Sequence, residues 1–311
     1  MTTQDEHFAA LTRKLVAKLE QGVVPWQQPW GESGISIPRR DTGEPFTGIN
    51  RLALWVGKDE MGYASDYWMT FNQAQKLGGT VRAGEHHHAK AFRRQDITRK
   101  EVNDKGDEVV SVIPYWVAYP VFNADQIDGL PDKYYAPVPQ PNQGERIEAA
   151  ERFFSKLGSD VRHGNYKPSY NASTDQISLP DYERFDNPES YYITRAHEEM
   201  HRSGHPSRLD RLPKLIRFGD ESYAMEELVA ELGATFTLAH LGIAPEPLAD
   251  SAAYIGHWIK VLKSEPRAIF TAARAAEDGT RWMIEQQQDK AIAQAIAGQV
   301  EALQTQTQAE R

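Results

Sequence analysis

Five residues in the second half of the chain constrain it most: His197-Glu198-Glu199-Met200-His201. Residues four apart share one face of an α-helix. The spacing therefore predicts two imidazoles aimed at one ion, and the helix that carries them. Glu198 follows the first histidine directly, where a carboxylate can take a proton from a water polarised by that ion, as in a metallopeptidase. A solvated helix rich in Glu and His could carry the same five residues, so the reading needs a third ligand.

A second segment supplies a candidate. Glu226–Ala234 reads as helical, and Glu227, Ala230, Glu231 and Ala234 fall on one face. Two carboxylates beside two alanines suit a helix that approaches another closely. Glu227 is expected to complete a His, His, Glu set and to leave the fourth tetrahedral position to water. Glu231, one turn on, is expected to hold a ligand histidine by its other ring nitrogen. Glu226 points elsewhere on helical geometry and is expected at the surface, with a fallback role as ligand. The other common third ligand, a histidine three residues beyond the glycine of HExxHxxGxxH, is missing, because Ser207 stands there. His205 directly follows Gly204 and is off register. It and Tyr223 are the candidates for steadying an oxyanion or touching substrate. Zn2+ is the expected ion, and Mn2+ is the alternative that imidazole and carboxylate also admit.

A chain of 311 residues has room for two domains. It contains no cysteine, which excludes disulfides and thiolate metal sites. No apolar stretch approaches the length of a membrane span, and the polar, acidic start lacks the basic-then-apolar pattern of a secretory leader. The expected location is the cytoplasm. The net charge of −9 argues against a generic basic nucleic-acid binder. The acid lies mainly in the C-terminal half, so a local basic groove stays open.

Before that acidic half, residues 6–22 form an amphipathic helix with Phe8, Leu11, Leu15, Val16 and Leu19 on one stripe. Trp26 and Trp30 follow in a proline-bounded, extended stretch, where they either pack on a core or stack on bases. A short helix starts near Gly48, a short strand covers Tyr67–Met69, and Thr70 to Gln73 has the form of a capping box. Residues 82–100 are basic, with Arg82, Lys90, Arg93, Arg94, Arg99 and Lys100. They meet phosphates or guard a strand edge. His86, His87 and His88 point to alternating faces on a strand, which disfavours one shared metal. A hairpin turn is predicted at 103–107. A long strand is predicted from Val109 to Phe122, with Pro114 marking a bulge or an edge. A proline-rich linker, 131–144, separates residues 1–130 from 145–311. Beyond it come a helix at 145–157 and short strands at 160–163, 169–171 and 176–179. The last strand is expected to run along the cleft, where it could pair with an extended peptide. The site helix is predicted to Ser203, the Glu227 helix over about 222–241, and two more helices over about 247–264 and 266–303. The fold class is α+β: an N-terminal mixed unit and a C-terminal zincin-like unit.

Several stretches together resemble the ArdC-type antirestriction proteins of conjugative plasmids and phages. They are Pro25-Trp26 with Pro29-Trp30, Gly48-Ile49-Asn50, the run from Trp68 to Glu85, Val121 to Gln126, the 197–201 motif, Arg208 to Arg211, and Tyr223 to Ala234. The resemblance covers nearly the whole chain. It implies an N-terminal domain that binds single-stranded DNA, a zincin-like metallopeptidase domain, and protection of incoming DNA from host restriction. It also implies a DNA-bound or restriction-system protein as substrate. The C-terminal part is similar to Spartan-like and ImmA/IrrE-like peptidases as well. Under this reading Trp26, Trp30, Trp68 and Phe71 would stack on bases, Arg82, Lys90, Arg93 and Arg94 would meet phosphates, and Asn50 belongs to the same interface. Where the family continues Gly-Glu-Lys-Gly, this chain has Gly84-Glu85-His86-His87. Two alternatives stay open: a strand-coating protein whose metal is structural, and a peptidase unrelated to DNA. Oligomeric state stays open too.

Overall fold

The computed structural model of the protein describes residues 3–27, 36–102, 108–136, 143–212, 221–244 and 251–287. The stripe on the first helix, α1 (Thr3–Glu20), is buried as its period demands, and Gly22 ends the segment at φ +77°. Next come α2 (Ile49–Met61), β1 (Trp68–Met69) and α3 (Phe71–Lys76). The Thr70 side chain accepts from Gln73 N while the Gln73 side chain accepts from Thr70 N, the reciprocal cap the sequence predicts. Strands β2 (Thr80–Val81), β3 (Ala89–Val102), β4 (Glu108–Asn123) and β5 (Ile127–Asp128) complete this half. β3 and β4 form a long antiparallel ribbon, with β1 on the other side of β4 at its end. Their register runs unbroken past Asp96↔Pro114, so Pro114 lies on an edge and not in a bulge. The predicted turn at 103–107, and 137–142 of the proline-rich linker, lie outside the described residues.

The second half contains α4 (Gln143–Lys156), β6 (Asp160–His163), β7 (Ser169–Asn171), β8 (Gln176–Leu179), α5 (Pro188–Ser203), α6 (Glu221–His240), α7 (Ser251–Ser264) and α8 (Ala268–Glu285). The strand order is β6-β8-β7, with β6 parallel and β7 antiparallel to β8. This corrects one expectation. β8 is central and paired on both sides, so it cannot receive a peptide. β7 and β6 are the two edges, because the 176–179 segment pairs with two neighbours and each of the others with one.

One hydrophobic core runs through both halves. Phe8 of α1 lies 4.3 Å from Phe270 of α8, ring centre to ring centre, and Trp26 lies 5.7 Å from Trp258 of α7. Trp55 of α2 meets Phe236 of α6 at 5.9 Å. Such aromatic pairs bury large areas, so the N-terminal unit braces the helices that build the site. At its centre Met200, fully buried, lies between Gly233 of α6 and Gly279 of α8. A Cβ on Gly233 would come within 2.7 Å of Met200 Cγ and Sδ, and one on Gly279 would crowd the same side chain and Ser203 Oγ. The two glycines let α6 and α8 close on α5. Among the described residues no helix is long and apolar enough to cross a membrane.

Candidate metal centre

Asn187 opens α5 by accepting from Ser190 N, Pro188 takes the first turn, and Gly204 caps the end. Between them the helix is buried almost throughout. His197 and His201 project together, with their Nε2 atoms 3.1 Å apart. α6 brings Glu227 to the same point: its Oε2 lies 3.4 Å from His197 Nε2 and its Oε1 3.6 Å from His201 Nε2. A tetrahedral ion with bonds near 2.0–2.1 Å needs ligand-to-ligand edges of about 3.3 Å. The three groups therefore fit a small divalent ion. Among the described residues they are the one His/Cys/Asp/Glu group with that capacity.

The orientation of His201 comes from a residue the sequence reading put at the surface. Glu226 is buried, and His201 Nδ1 donates to its Oε1 at 3.2 Å. Arg211 grips both Glu226 oxygens, from Nε at 3.0 Å and Nη2 at 2.9 Å. Burial alone would raise the Glu226 carboxyl, but the hydrogen bonds from His201 and Arg211 turn its pKa downward. An ionised acceptor on Nδ1 keeps the proton there and leaves Nε2 as a lone pair for the ion. Glu226 is thus neither a surface residue nor the fallback ligand. Arg211 also donates to the Met200 carbonyl at 2.7 Å, tying the clamp to the motif's own backbone. A side chain at Gly204 would collide with Arg211 Nη2 at 2.9 Å. Glu231 differs from expectation as well. It is buried and accepts from Gln27 Nε2 at the end of the Trp26 segment, while His197 Nδ1 is buried with no hydrogen-bond partner.

Charge reinforces the arrangement. Burial lowers the His197 pKa, but the hydrogen bond to Glu227 and the charges of Glu198, Glu231 and Glu227 outweigh it and lift it to about 9. Burial would raise Glu227; the hydrogen bond with His197 and the two imidazoles pull it down to about 2. For Glu198 burial dominates and its carboxyl is raised, with a backbone hydrogen bond from Tyr170 among the opposing effects. Tyr223 is held protonated by burial first, then by its contact with Tyr254 and the charge of Glu227. Its hydroxyl lies 3.3 Å from that of Tyr254 and also hydrogen-bonds Glu227.

The centre opens into a cavity of about 560 Å³. The edge strand β7 forms one wall through Ser169 and Tyr170, and Phe185, Tyr223 and Tyr254 form apolar parts of the rest. Glu198 reaches this cavity with the three ligand candidates. His205 does not line it; its Nδ1 pairs with Ser207 Oγ at 2.8 Å.

Two family models divide the chain. Residues 5–122 match the N-terminal domain of the anti-restriction factor ArdC, and residues 148–275 match a zincin-like metallopeptidase. The chain is similar over most of its length to the antirestriction ArdC protein of plasmid R388 in its Mn(II)-bound crystal structure. That match has 36% identity and a TM-score of 0.76, covering 91% of this chain and 98% of that one. This chain belongs to the ArdC antirestriction family. The metal-free ArdC structure gives 37% identity and a TM-score of 0.73, covering 90% and 97% of the two chains. An uncharacterised protein, y4eC of Sinorhizobium fredii (strain NBRC 101917 / NGR234), is 35% identical over 92% of this chain and 94% of its own length. DNA primase TraC of Escherichia coli is 38% identical across 86% of this chain, which spans 26% of TraC.

Within the ArdC N-terminal domain, several residues expected at DNA are structural. Trp26 and Trp68 are fully buried, as large apolar rings are where a core is within reach. Asn50 is buried too: its side chain donates to the Phe92 carbonyl at 3.0 Å and accepts from Phe92 N at 2.7 Å, bridging α2 to β3. Trp30 lies outside the described residues. Phe71 is exposed. The cations do not form one surface. Arg82 is engaged with Glu85 and Asp128 beside β2 and β5. The pleat turns Lys90 and Arg94 to the side of Phe92, which packs on Phe8 of α1, and turns Arg93 to the opposite side. Tyr115, exposed and opposite Gln95 on the ribbon, shares the Arg93 side and was missed. Its alternation within the long strand was the available signal.

Proposed function

We propose that the chain is a DNA-associated peptidase of the antirestriction type: the metal centre cuts protein, and the N-terminal unit holds it on single-stranded DNA. The observation carrying this reading is the buried Glu198 beside a triangle of two imidazoles and one carboxylate, opening into a peptide-sized cavity. A divalent ion held by His197, His201 and Glu227, Zn2+ in this reading, would supply Lewis acidity at a carbonyl oxygen and acidify a water. The rest falls to side chains. Glu198 takes the water's proton and hands it to the leaving nitrogen. Its burial-raised carboxyl suits both acceptance and return. The outer edge of β7 receives the substrate backbone in extended form. Tyr223, kept protonated, is a donor beside Glu227 for developing negative charge.

For the DNA half, the support is the match to the ArdC N-terminal domain together with exposed Arg93, Tyr115 and Phe71. The substrate is then a protein bound to the strand or part of a restriction system. A second reading draws on the Gln27–Glu231 hydrogen bond and the Trp26–Trp258 pair, which tie the N-terminal unit to the metal centre. There the ion would be a staple for a strand-coating protein. One assay separates them. Under the peptidase reading, Glu198→Gln binds metal as the parent does, no longer cleaves a DNA-bound protein, and no longer protects incoming DNA from restriction in the cell. Full protection by that variant would leave the staple reading standing.

A further inference from the structure

A second cavity, of about 200 Å³, lies on the N-terminal half between α1, α2 and the start of β3. Its polar lining is His7 and Lys14 from α1 with His87, His88 and Lys90 from the segment entering β3. Leu11, Ala53, Val56 and Phe92 give it an apolar floor. Among the described residues no carboxylate lines it, although the chain as a whole carries a net charge of −9. The three histidines do not make a metal set, since among the described residues only His197, His201 and Glu227 do. Lys90 Nζ donates to His7 Nδ1 at 3.1 Å, a contact with no anion in it. Two cations and three imidazoles around a concave, partly apolar hollow are complementary to an anionic group on an organic stem.

We propose that this cavity is a phosphate site, which seats one backbone phosphate of a nucleic-acid strand with the adjoining sugar or base against the apolar floor. The strand as the source rests on the DNA-binding reading above; the phosphate chemistry does not. This gives His86-His87-His88 a role that neither the metal centre nor the exposed ribbon uses. His87 and His88 line the hollow and His86 does not. The site is sensitive to protons. Burial lowers the His87 pKa, and the charges of Lys90, His86 and His88 push it the same way. A seated phosphate offsets that repulsion, so binding takes up protons and tightens as pH falls through the histidine range. Among the described residues around the hollow, Glu60 pairs with Lys14 at 2.6 Å, Glu85 accepts from Arg82 and Gln126 and feels the charge of His88, and the Tyr63 ring lies 6.4 Å from that of His88. The hydrogen bonds from Gln126 and Arg82 hold the Glu85 carboxyl below its usual range, so its charge is a constant background across the histidine range.

The test uses the full, metal-loaded chain and a fluorescein-labelled oligo-dT at fixed ionic strength. Wild type should bind roughly tenfold more tightly at about pH 6 than at about pH 8. The double substitution His87→Gln with His88→Gln should flatten that dependence, Lys90→Met should weaken binding at both pH values, and His86→Gln should keep the dependence but move it to slightly higher pH, because one of the charges that lower His87 is gone. Circular dichroism confirms that each variant is folded. Inorganic phosphate, titrated while the histidine ring protons are followed by NMR, separates the sources. Shifts at His7, His87 and His88 but not at His257, without any oligonucleotide binding, would keep the phosphate site and remove the strand. Oligonucleotide affinity that is flat in pH, or a slope that survives the double substitution, with no phosphate-induced shift, would overturn the site and leave strand binding elsewhere intact.

Discussion

Gly233→Ala should show how tightly the metal centre depends on helix packing. The added Cβ would stand 2.7 Å from Met200 Cγ and Sδ, and closer still to Cε. Optimal contacts between such atoms are ~3.5–4.0 Å, a shortfall of roughly 1 Å. Met200 is fully buried and cannot retreat towards α8, because Gly279 abuts it there with the same closeness. Either Met200 leaves its rotamer or α6 moves off α5. Overpacking of this kind costs ~1–3 kcal/mol, and alanine recovers ~0.5–1 kcal/mol of helix propensity, for a net loss of up to about 2.5 kcal/mol. A shift of α6 by roughly that shortfall also carries Glu227 away from two imidazoles now 3.4 and 3.6 Å from it, so metal affinity falls with stability. Urea unfolding of the metal-free protein and a competitive metal titration measure the two effects. Met200→Ala supplies the control, since in its background Gly233→Ala should become a gain of ~0.5–1 kcal/mol. A Gly233→Ala variant that is more stable than wild type, or that has the same effect in both backgrounds, would refute the close-packing argument.

Other outcomes follow from single contacts. Arg211→Met removes both donors that hold Glu226, and metal affinity should drop by ~10–100-fold in a chelator competition, while Glu198 chemistry is untouched in the protein that remains loaded. Asp175, at the turn between β7 and β8, has its carboxyl lowered by the hydrogen bond from Arg208 against burial. Its contribution is present above the ordinary carboxylate pKa and is lost as pH falls through the lowered one. Asp175→Asn tolerates the φ of +53° and should flatten the acid limb of a melting-temperature profile; an unchanged limb would clear this pair of any role. Asn50→Ala leaves a buried amide and carbonyl of Phe92 without their partner, a loss of ~2–3 kcal/mol by thermal unfolding, with oligonucleotide affinity of the folded protein unchanged.

Periodicity and cap chemistry are local, and they made most elements legible. The α5 limits, the reciprocal Thr70–Gln73 cap and the three short strands before α5 all follow from neighbours within a turn or two. The metal set was legible for the same reason: His197 and His201 share a face by spacing alone, and an alanine-bearing face with Glu227 signals close approach. Strand order was not legible. Which of β7 and β8 lies at an edge depends on pairing across the sheet, and nothing local to the 176–179 segment shows that it is central.

What the sequence by itself determined is the donor chemistry: two imidazoles and a carboxylate placed by helical period, with the Glu198 carboxylate next to the first imidazole. Tertiary structure alone decided which groups orient those donors. Glu226 turns from an apparent surface residue into the acceptor for His201 because Arg211 folds back from beyond Gly204 to hold it. Glu231 meets Gln27, more than two hundred positions away, instead of a histidine. Solvent exposure was likewise decided in three dimensions. Trp26 and Trp68 admit stacking on bases as well as packing from sequence alone, with packing the commoner fate for Trp26, and the core took both because a large ring gains most where water is excluded.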